Sequence, residues 1–288
     1  MGKLVRCIAS DGSLSIMAAD LTDAVEEARL IHDTSPVITA GLGRLLTAAC
    51  FMGTMLKASD DSVTLRINGG GPSGSIIAVS GSSGNVRGYA ANPWVDLPLN
   101  KKGKLDVSGA VGKEGSLTVM KDLGLKEPYI GSVSLVSGEI AEDVTSYFAV
   151  SEQTPTVCAL GVLISTDLSV KAAGGFLVQL LPFAPESTIE AVERCINDIP
   201  PVTAMLDSGL TPEEICRKVL KEFDLEVLLE SEPRYVCDCS LERVMRTLKS
   251  LSQEELASMS EDERTEVICH FCNKRYIFTQ EEIKILIS

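Results

Sequence analysis

The sequence predicts an α+β protein: a mainly antiparallel β-sheet core domain with packed helices, a helical linker, and a small C-terminal zinc-binding domain. Three observations carry that prediction. Between residues 62 and 136 five short β-rich runs follow one another with no helix between them, and strands joined this way pair antiparallel. Near Pro185 the texture changes to helix caps and amphipathic stripes. Past Pro233 four cysteines stand as two tight pairs, Cys237-Asp-Cys239 and Cys269-His-Phe-Cys272, with 29 residues between them. The expected boundaries are 1–184 for the core, 185–232 for the linker and 233–288 for the cysteine domain.

The elements follow in order. Residues 18–31 have helical periodicity, with Leu21, Ala24, Val25 and Ala28 on one side and Asp23, Glu26 and Glu27 on the other. Leu30 falls on the acidic side and blurs the stripe. Residues 39–57 predict a second, more buried helix. The stretch 37–56 is nearly apolar enough for a membrane span, but Arg44 would lie mid-span and no second span exists, so a buried core helix is expected. Strands are expected at 62–67, 75–79, 85–89, 116–120 and 130–136, with 157–165 and 175–181 closing one sheet that carries helices on one side. In the linker, Ser187-Thr-Ile-Glu190 reads as a capping box and Thr211-Pro212 opens another helix. Its apolar stripes (Ile189, Val192, Ile196; Ile215, Val219, Phe223, Val227) need a surface to bury against.

Composition narrows the function. The chain has 288 residues, 45% hydrophobic, with few aromatics and one tryptophan, Trp94, so its core rests on Leu, Ile, Val and Ala. A net charge of -14 opposes binding to phosphate backbones and anionic membranes. The opening Met1-Gly-Lys-Leu-Val-Arg6 has neither an export-signal core nor a myristoylation pattern, and a cytoplasmic chain is expected. There, paired cysteines are metal ligands or redox centres more often than structural disulfides.

The two cysteine pairs are the strongest chemical signal. Four thiolates can converge on one tetrahedral Zn²⁺, and a domain of some 55 residues is near the size at which a core alone is marginal. On spacing alone the ordinary reading is a closed, inert structural site. Oxidisable thiolates leave a switch open as the other reading. His270, inside the second pair, is surplus to a four-thiolate shell. The run Gly69-Gly-Gly71-Pro-Ser-Gly74 fits a dinucleotide fingerprint on paper, but a strand follows it where that fingerprint needs a helix, so it reads as a hairpin turn. His32-Asp33 has no companion nucleophile motif and reads as a helix end. Glu139, Glu142, Asp143 and Glu152 read as a solvated acidic face, and Cys7, Cys50, Cys158, Cys195 and Cys216 mostly as buried thiols. No catalytic residues are expected.

Taken together the chain resembles the thirty-three-kilodalton heat-shock-protein family of redox-regulated bacterial chaperones. The resemblance runs through Leu45-Leu-Thr-Ala-Ala49 with Met52-Gly53, Asn68-Gly-Gly-Gly-Pro72, Val86-Arg-Gly-Tyr89 with Asn92-Pro93, and Ser137-Gly-Glu-Ile-Ala-Glu-Asp143 with Tyr147. It continues through Ser151-Glu-Gln153 and Ala172-Ala-Gly-Gly-Phe-Leu-Val-Gln-Leu-Leu-Pro182 to the cysteine pairs themselves. It implies that Cys237, Cys239, Cys269 and Cys272 bind one Zn²⁺ per reduced chain. It also implies that oxidation joins Cys237 to Cys239 and Cys269 to Cys272, releases the metal and unfolds the terminal domain. Unfolded client proteins would then be held by a dimeric active form. Cys195 and Cys216, in the linker, stand outside that motif. The competing reading, a zinc-ribbon module that binds nucleic acid or protein without switching, predicts basic residues around the cysteines. Residues 233–288 instead carry eight basic and ten acidic side chains.

Overall fold

In a computed structural model describing residues 2–287, the chain begins with a hairpin, β1 (Lys3–Ala9) and β2 (Leu14–Asp20), followed by α1 (Thr22–His32) and α2 (Pro36–Thr54). A meander follows, β3 (Ser62–Gly70), β4 (Ile76–Gly81) and β5 (Val86–Ala90), then the short α3 (Val107–Val111) and the hairpin β6 (Gly112–Asp122) and β7 (Tyr129–Ser134). Next come α4 (Ala141–Val150), β8 (Thr156–Ile164) and β9 (Val170–Leu180). The stretch expected as linker holds α5 (Glu186–Asn197), α6 (Val202–Asp207), α7 (Pro212–Val219) and β10 (Leu225–Ser231). The last part comprises α8 (Leu241–Leu248), α9 (Gln253–Met259), β11 (Arg264–Ile268), β12 (Arg275–Thr279) and α10 (Gln280–Ile287). Two compact units result, Met1–Val236 and Cys237–Ser288.

The first unit contains two five-stranded antiparallel sheets where the sequence suggested one, ordered β10-β1-β2-β9-β8 and β5-β4-β3-β6-β7. Helix α2 packs on β4 and β5 of one sheet and on β8 and β9 of the other. That placement explains its membrane-like composition: every residue but Pro36 and Arg44 is buried, and a helix covered on all sides has no use for a polar face. Its small residues allow the close approach. A Cβ on Gly43 would lie 2.7 Å from methyls of both Val25 and Val162.

The first predicted helix starts later than its periodicity suggests. Residues 14–20 pair with β1 on one side and β9 on the other, so sheet pairing overrides local helical preference. The helix begins after Asp20, whose carboxylate accepts from the Thr22 amide (3.0 Å) and hydroxyl (2.6 Å). The adjacent glycines of β9 answer a steric demand of the same sheet. A Cβ on Gly174 would meet the Ala19 carbonyl oxygen at 2.1 Å, and one on Gly175 that of Ala159 at 2.4 Å.

Residues 185–232 lie on the first sheet. Val192, Ile215 and Val219 are buried with Val5, Cys7, Ile16 and Phe176 in a second apolar core. The structure also changes the last part of that stretch: residues 225–231 form β10, which pairs with β1 and leaves Val227 exposed. An open sheet edge recruits an apolar stretch that a helical wheel would have placed differently.

Candidate metal centre

The C-terminal unit supports its cysteines with little apolar material. Leu248, Leu256, Tyr276, Phe278 and Ile283 are its buried apolar side chains. Cys237 and Cys239 lie in the loop before α8, which Ser240 opens by accepting from the Arg243 amide. Arg243 also pairs with Asp238, between the two cysteines. Cys269 and Cys272 occupy the turn between β11 and β12. The Asn273 amide donates to the Cys269 carbonyl (2.8 Å) and the Cys269 amide to the Lys274 carbonyl (3.0 Å). Asn273 has φ 56°, a left-handed geometry that Asn tolerates and that reverses the chain so both thiols face one point.

All four sulfurs lie within 4.8 Å of one another. Cys237 Sγ is 3.6 Å from Cys269 Sγ, and Cys239 Sγ is 3.4 Å from Cys272 Sγ. Four thiolates on a tetrahedral Zn²⁺ stand about 3.8 Å apart, given Zn–S bonds of about 2.3 Å. The donor set therefore fits a thiophilic metal ion without rearrangement. The Tyr276 hydroxyl donates to Cys239 Sγ at 3.2 Å. Burial works to raise the Cys239 thiol, but the bond from Tyr276 and the neighbouring thiols outweigh it and hold this sulfur below the ordinary cysteine range. Burial pushes Cys237 and Cys272 up. A bound cation would stabilise thiolates at this site. His270 is exposed.

The other sequence candidates resolve as follows. The glycine run ends β3 and turns into β4, a hairpin as expected. His32 ends α1. The acidic group is not uniformly solvated, and here the structure corrects the sequence reading. Glu142 is exposed, but Asp143 is fully buried. Its carboxylate accepts from the amides of Val136 (2.7 Å), Ser137 (3.1 Å) and Ile140 (2.9 Å), which holds the turn before α4, where Ile140 has φ 70°. Glu152 accepts from Lys121 Nζ and Tyr147 Oη, each at 2.6 Å. Glu139 pairs at 2.6 Å with Arg44, the cation of the buried helix. No periodicity in the sequence marks these carboxylates as structural, because their partners are amides and side chains brought in by folding.

Tyr235 had no signal either. It is buried in the main core just ahead of the cysteines. Cys7 and Cys216, unpaired in sequence, share the second core.

Comparison with known proteins agrees with this architecture. The family model described as Hsp33 protein matches residues 2–279, which includes all four cysteines. The chain is 51% identical over 282 residues to a 33 kDa chaperonin of Agathobacter rectalis, covering 98% of each. It is 49% identical over 288 residues to a 33 kDa chaperonin of Clostridium perfringens, covering 99% of this chain and 90% of that one. The crystal structure of the 33 kDa chaperonin (heat shock protein 33 homolog) of Thermotoga maritima matches with a TM-score of 0.91 at 40% identity, over 99% of this chain and 97% of that one. With both units and the cysteine hairpin inside one continuous match, the chain belongs to the Hsp33 family of chaperones.

Proposed function

We propose that this chain is a redox-regulated holdase: with zinc on Cys237, Cys239, Cys269 and Cys272 it is inactive, and oxidation of those thiols lets it hold unfolded proteins. The observation that carries this reading is four mutually close thiols in a unit whose apolar core is small, with Leu248, Leu256, Tyr276, Phe278 and Ile283 buried among the described residues, within a chain of a chaperone family. When bound, zinc would stabilise the thiolates and tie the loop before α8 to the β11–β12 turn, contributing on the order of 10–16 kcal/mol to folding as in other small zinc domains.

Oxidation is balanced by peroxide. Each pair of thiols gives up two electrons and two protons to form one S–S bond, and one hydrogen peroxide becomes two waters. Pairing Cys237 with Cys239 and Cys269 with Cys272 closes loops too short to constrain the unfolded chain much. The small core then has neither metal nor long-range cross-link and unfolds. Leu248, Leu256, Phe278 and Ile283 become accessible, and the linker stripes of Val192, Ile215 and Val219 add apolar surface as α5 and α7 loosen. Extended, partly unfolded polypeptides are the matching ligands, and the net charge of -14 keeps the exposed form in solution. No catalytic residue is invoked. We place the protein in the cytoplasm and its active form in a homodimer, without nucleic acid or membrane partners.

The test follows zinc release and suppression of a client's aggregation before and after peroxide under mildly unfolding conditions, with peptide mapping of the disulfides. The expected result is zinc release, client holding by the oxidised form alone, and disulfides between sequence neighbours. Equal holding by the zinc-loaded form would refute the switch. Disulfides joining Cys237 to Cys269 and Cys239 to Cys272 would act as a staple and refute release by unfolding.

A further inference from the structure

The inward face of β12 carries two aromatic side chains, Tyr276 and Phe278, which alternate with exposed residues along the strand. Both are buried in the small core of the C-terminal unit, and Tyr276 stands opposite Val267 of β11. A phenylalanine would satisfy the packing at either position. The hydroxyl of Tyr276 is surplus to that packing, and it is directed at a sulfur: it donates to Cys239 Sγ at 3.2 Å, reaching a loop 37 residues earlier in the chain. Lys274 Nζ lies 5.2 Å from the centre of the Tyr276 ring. A cation over the ring draws electron density from it, which makes the hydroxyl a stronger donor.

We propose that Tyr276 is a positioning residue for the redox chemistry of the cysteine cluster: its hydroxyl steadies Cys239 as a metal ligand and slows that sulfur's attack on peroxide.

The inference rests on the holdase reading above and deepens it, from the presence of a thiol switch to what sets its threshold. Cysteines that ligate a metal are already thiolates, so a hydrogen bond to one of them adds no further thiolate. It acts instead on the sulfur lone pairs. The hydroxyl proton engages one lone pair of Cys239, and a sulfur made less basic is also a weaker nucleophile. The same bond fixes the direction in which the sulfur points, as groups that hydrogen-bond to ligands do at other metal sites. Packing holds the Tyr276 ring within the core, so the donor is aimed by the fold itself.

A thiolate lone pair attacks one oxygen of hydrogen peroxide, and the O–O bond breaks to leave a sulfenic acid and a hydroxide. The second thiolate of the pair then attacks that sulfur. An S–S bond forms and the sulfenic oxygen leaves as a second hydroxide. The two thiolates together lose two electrons, one peroxide gains them, and solvent protonates both hydroxides to water. In the Cys237–Cys239 pair, Cys239 acts once as the nucleophile in either order, on peroxide or on the sulfenic sulfur of Cys237. The Tyr276 hydroxyl therefore restrains this disulfide by both routes, and with it the loss of the metal.

The experiment compares the full-length wild type with two variants. Tyr276→Phe keeps the buried ring and removes the hydroxyl alone, whereas Phe278→Leu disturbs the same core at a side chain with no hydrogen-bonding group. Zinc affinity is read by competition with a chromophoric chelator, and the thiolate-to-metal charge-transfer absorption is read on the cobalt(II)-loaded chains. The rate at which peroxide consumes each cysteine is followed by isotope-coded alkylation and mass spectrometry, alongside zinc release. Tyr276→Phe is expected to bind zinc about tenfold more weakly. Its charge-transfer band should move to longer wavelength, because the freed sulfur gives up electrons more easily, and Cys239 should be consumed severalfold faster. Phe278→Leu should lower zinc affinity but keep the wild-type band and the wild-type reactivity of Cys239 relative to the other ligands. A wild-type band and wild-type loss of Cys239 in Tyr276→Phe would overturn the proposal. So would equal shifts in both variants, or a Tyr276→Phe chain that takes up no metal, since the ring would then matter only for packing. If the rates differ as expected but no oxidised chain holds client, the holdase reading falls and the role of Tyr276 stands. Equal rates in chains whose oxidised forms do hold client would remove Tyr276 alone.

Discussion

The hydroxyl of Tyr235 donates to the Gly88 carbonyl across 2.9 Å and accepts from the Gly88 amide at 3.3 Å. A side chain thereby satisfies the open edge of β5, and His32 Nε2 lies 3.2 Å from the same oxygen. On either side the backbone joins in: the Val86 amide donates to Arg234 and the Val236 amide to Val86, both at 2.9 Å. The chain is pinned to the core one residue before the cysteine unit begins.

That anchor has a measurable weight. Tyr235→Phe leaves a buried carbonyl and amide without their partner and is expected to destabilise the first unit by about 1–3 kcal/mol. Tyr235→Ala adds an emptied core site and should cost about 3–5 kcal/mol. Urea denaturation reads both, and a change under about 0.5 kcal/mol for the alanine variant would show that the anchor is ornamental.

Asp143 is expected to be a folding residue. Asp143→Ala orphans three amides around the left-handed Ile140 and should cost about 3–5 kcal/mol, since each buried donor left unsatisfied costs about 1–3 kcal/mol. Asp143→Asn keeps the shape but exchanges one acceptor oxygen for a donor, and should fall between that variant and wild type. Thermal unfolding of the zinc-loaded proteins would rank the three.

The cluster of Lys121, Tyr147 and Glu152 gives stability a two-sided pH dependence. Burial works to raise the Glu152 carboxyl, but hydrogen bonds from Lys121 and Tyr147 overcome it and hold the group below its ordinary value. Its stabilising contribution is thus present above the ordinary carboxyl pKa of about 4.3 and is lost as pH falls below it. Tyr147 is pushed up by burial and by the bond to Glu152, so its contribution is complete below about pH 10 and erodes above. The difference in Tm between wild type and Glu152→Gln should close as the solution is acidified. A constant gap from pH 7 to 3 would refute the linkage.

Removal of the metal should unfold one unit and spare the other. Chelation, or Cys269→Ser, is expected to abolish the cooperative melting of residues 237–288 while residues 1–236 keep a cooperative transition of their own. Zinc affinity should fall as pH is lowered, since protons compete for the thiolates. Differential scanning calorimetry with metal analysis checks both. A C-terminal transition unchanged by chelation would mean that its small apolar core suffices.

The sequence made some parts of this molecule plain. Strands β3 to β7 follow from alternation and turn residues, and the structure places them within a few positions of those expectations. Other parts were hidden because partners decide them. Residues 14–20 become a central strand through pairing with β1 and β9. Residues 225–231 become an edge strand through pairing with β1. Asp143 looked like surface acidity because amides carry no sequence signature.

The convergence of the four cysteines was legible from spacing alone, since bringing two close pairs together needs only two short, sharply turning segments. The apolar 37–56 stretch likewise showed that something must be covered on every side. Only the tertiary structure decided what covers it, two separate sheets, and only folding brought Tyr235 to Gly88. Local chemistry is written along the chain within a few residues. Contacts that close over hundreds of residues are chosen by the packing of whole sheets, where pairing and burial outweigh the preference of any one segment.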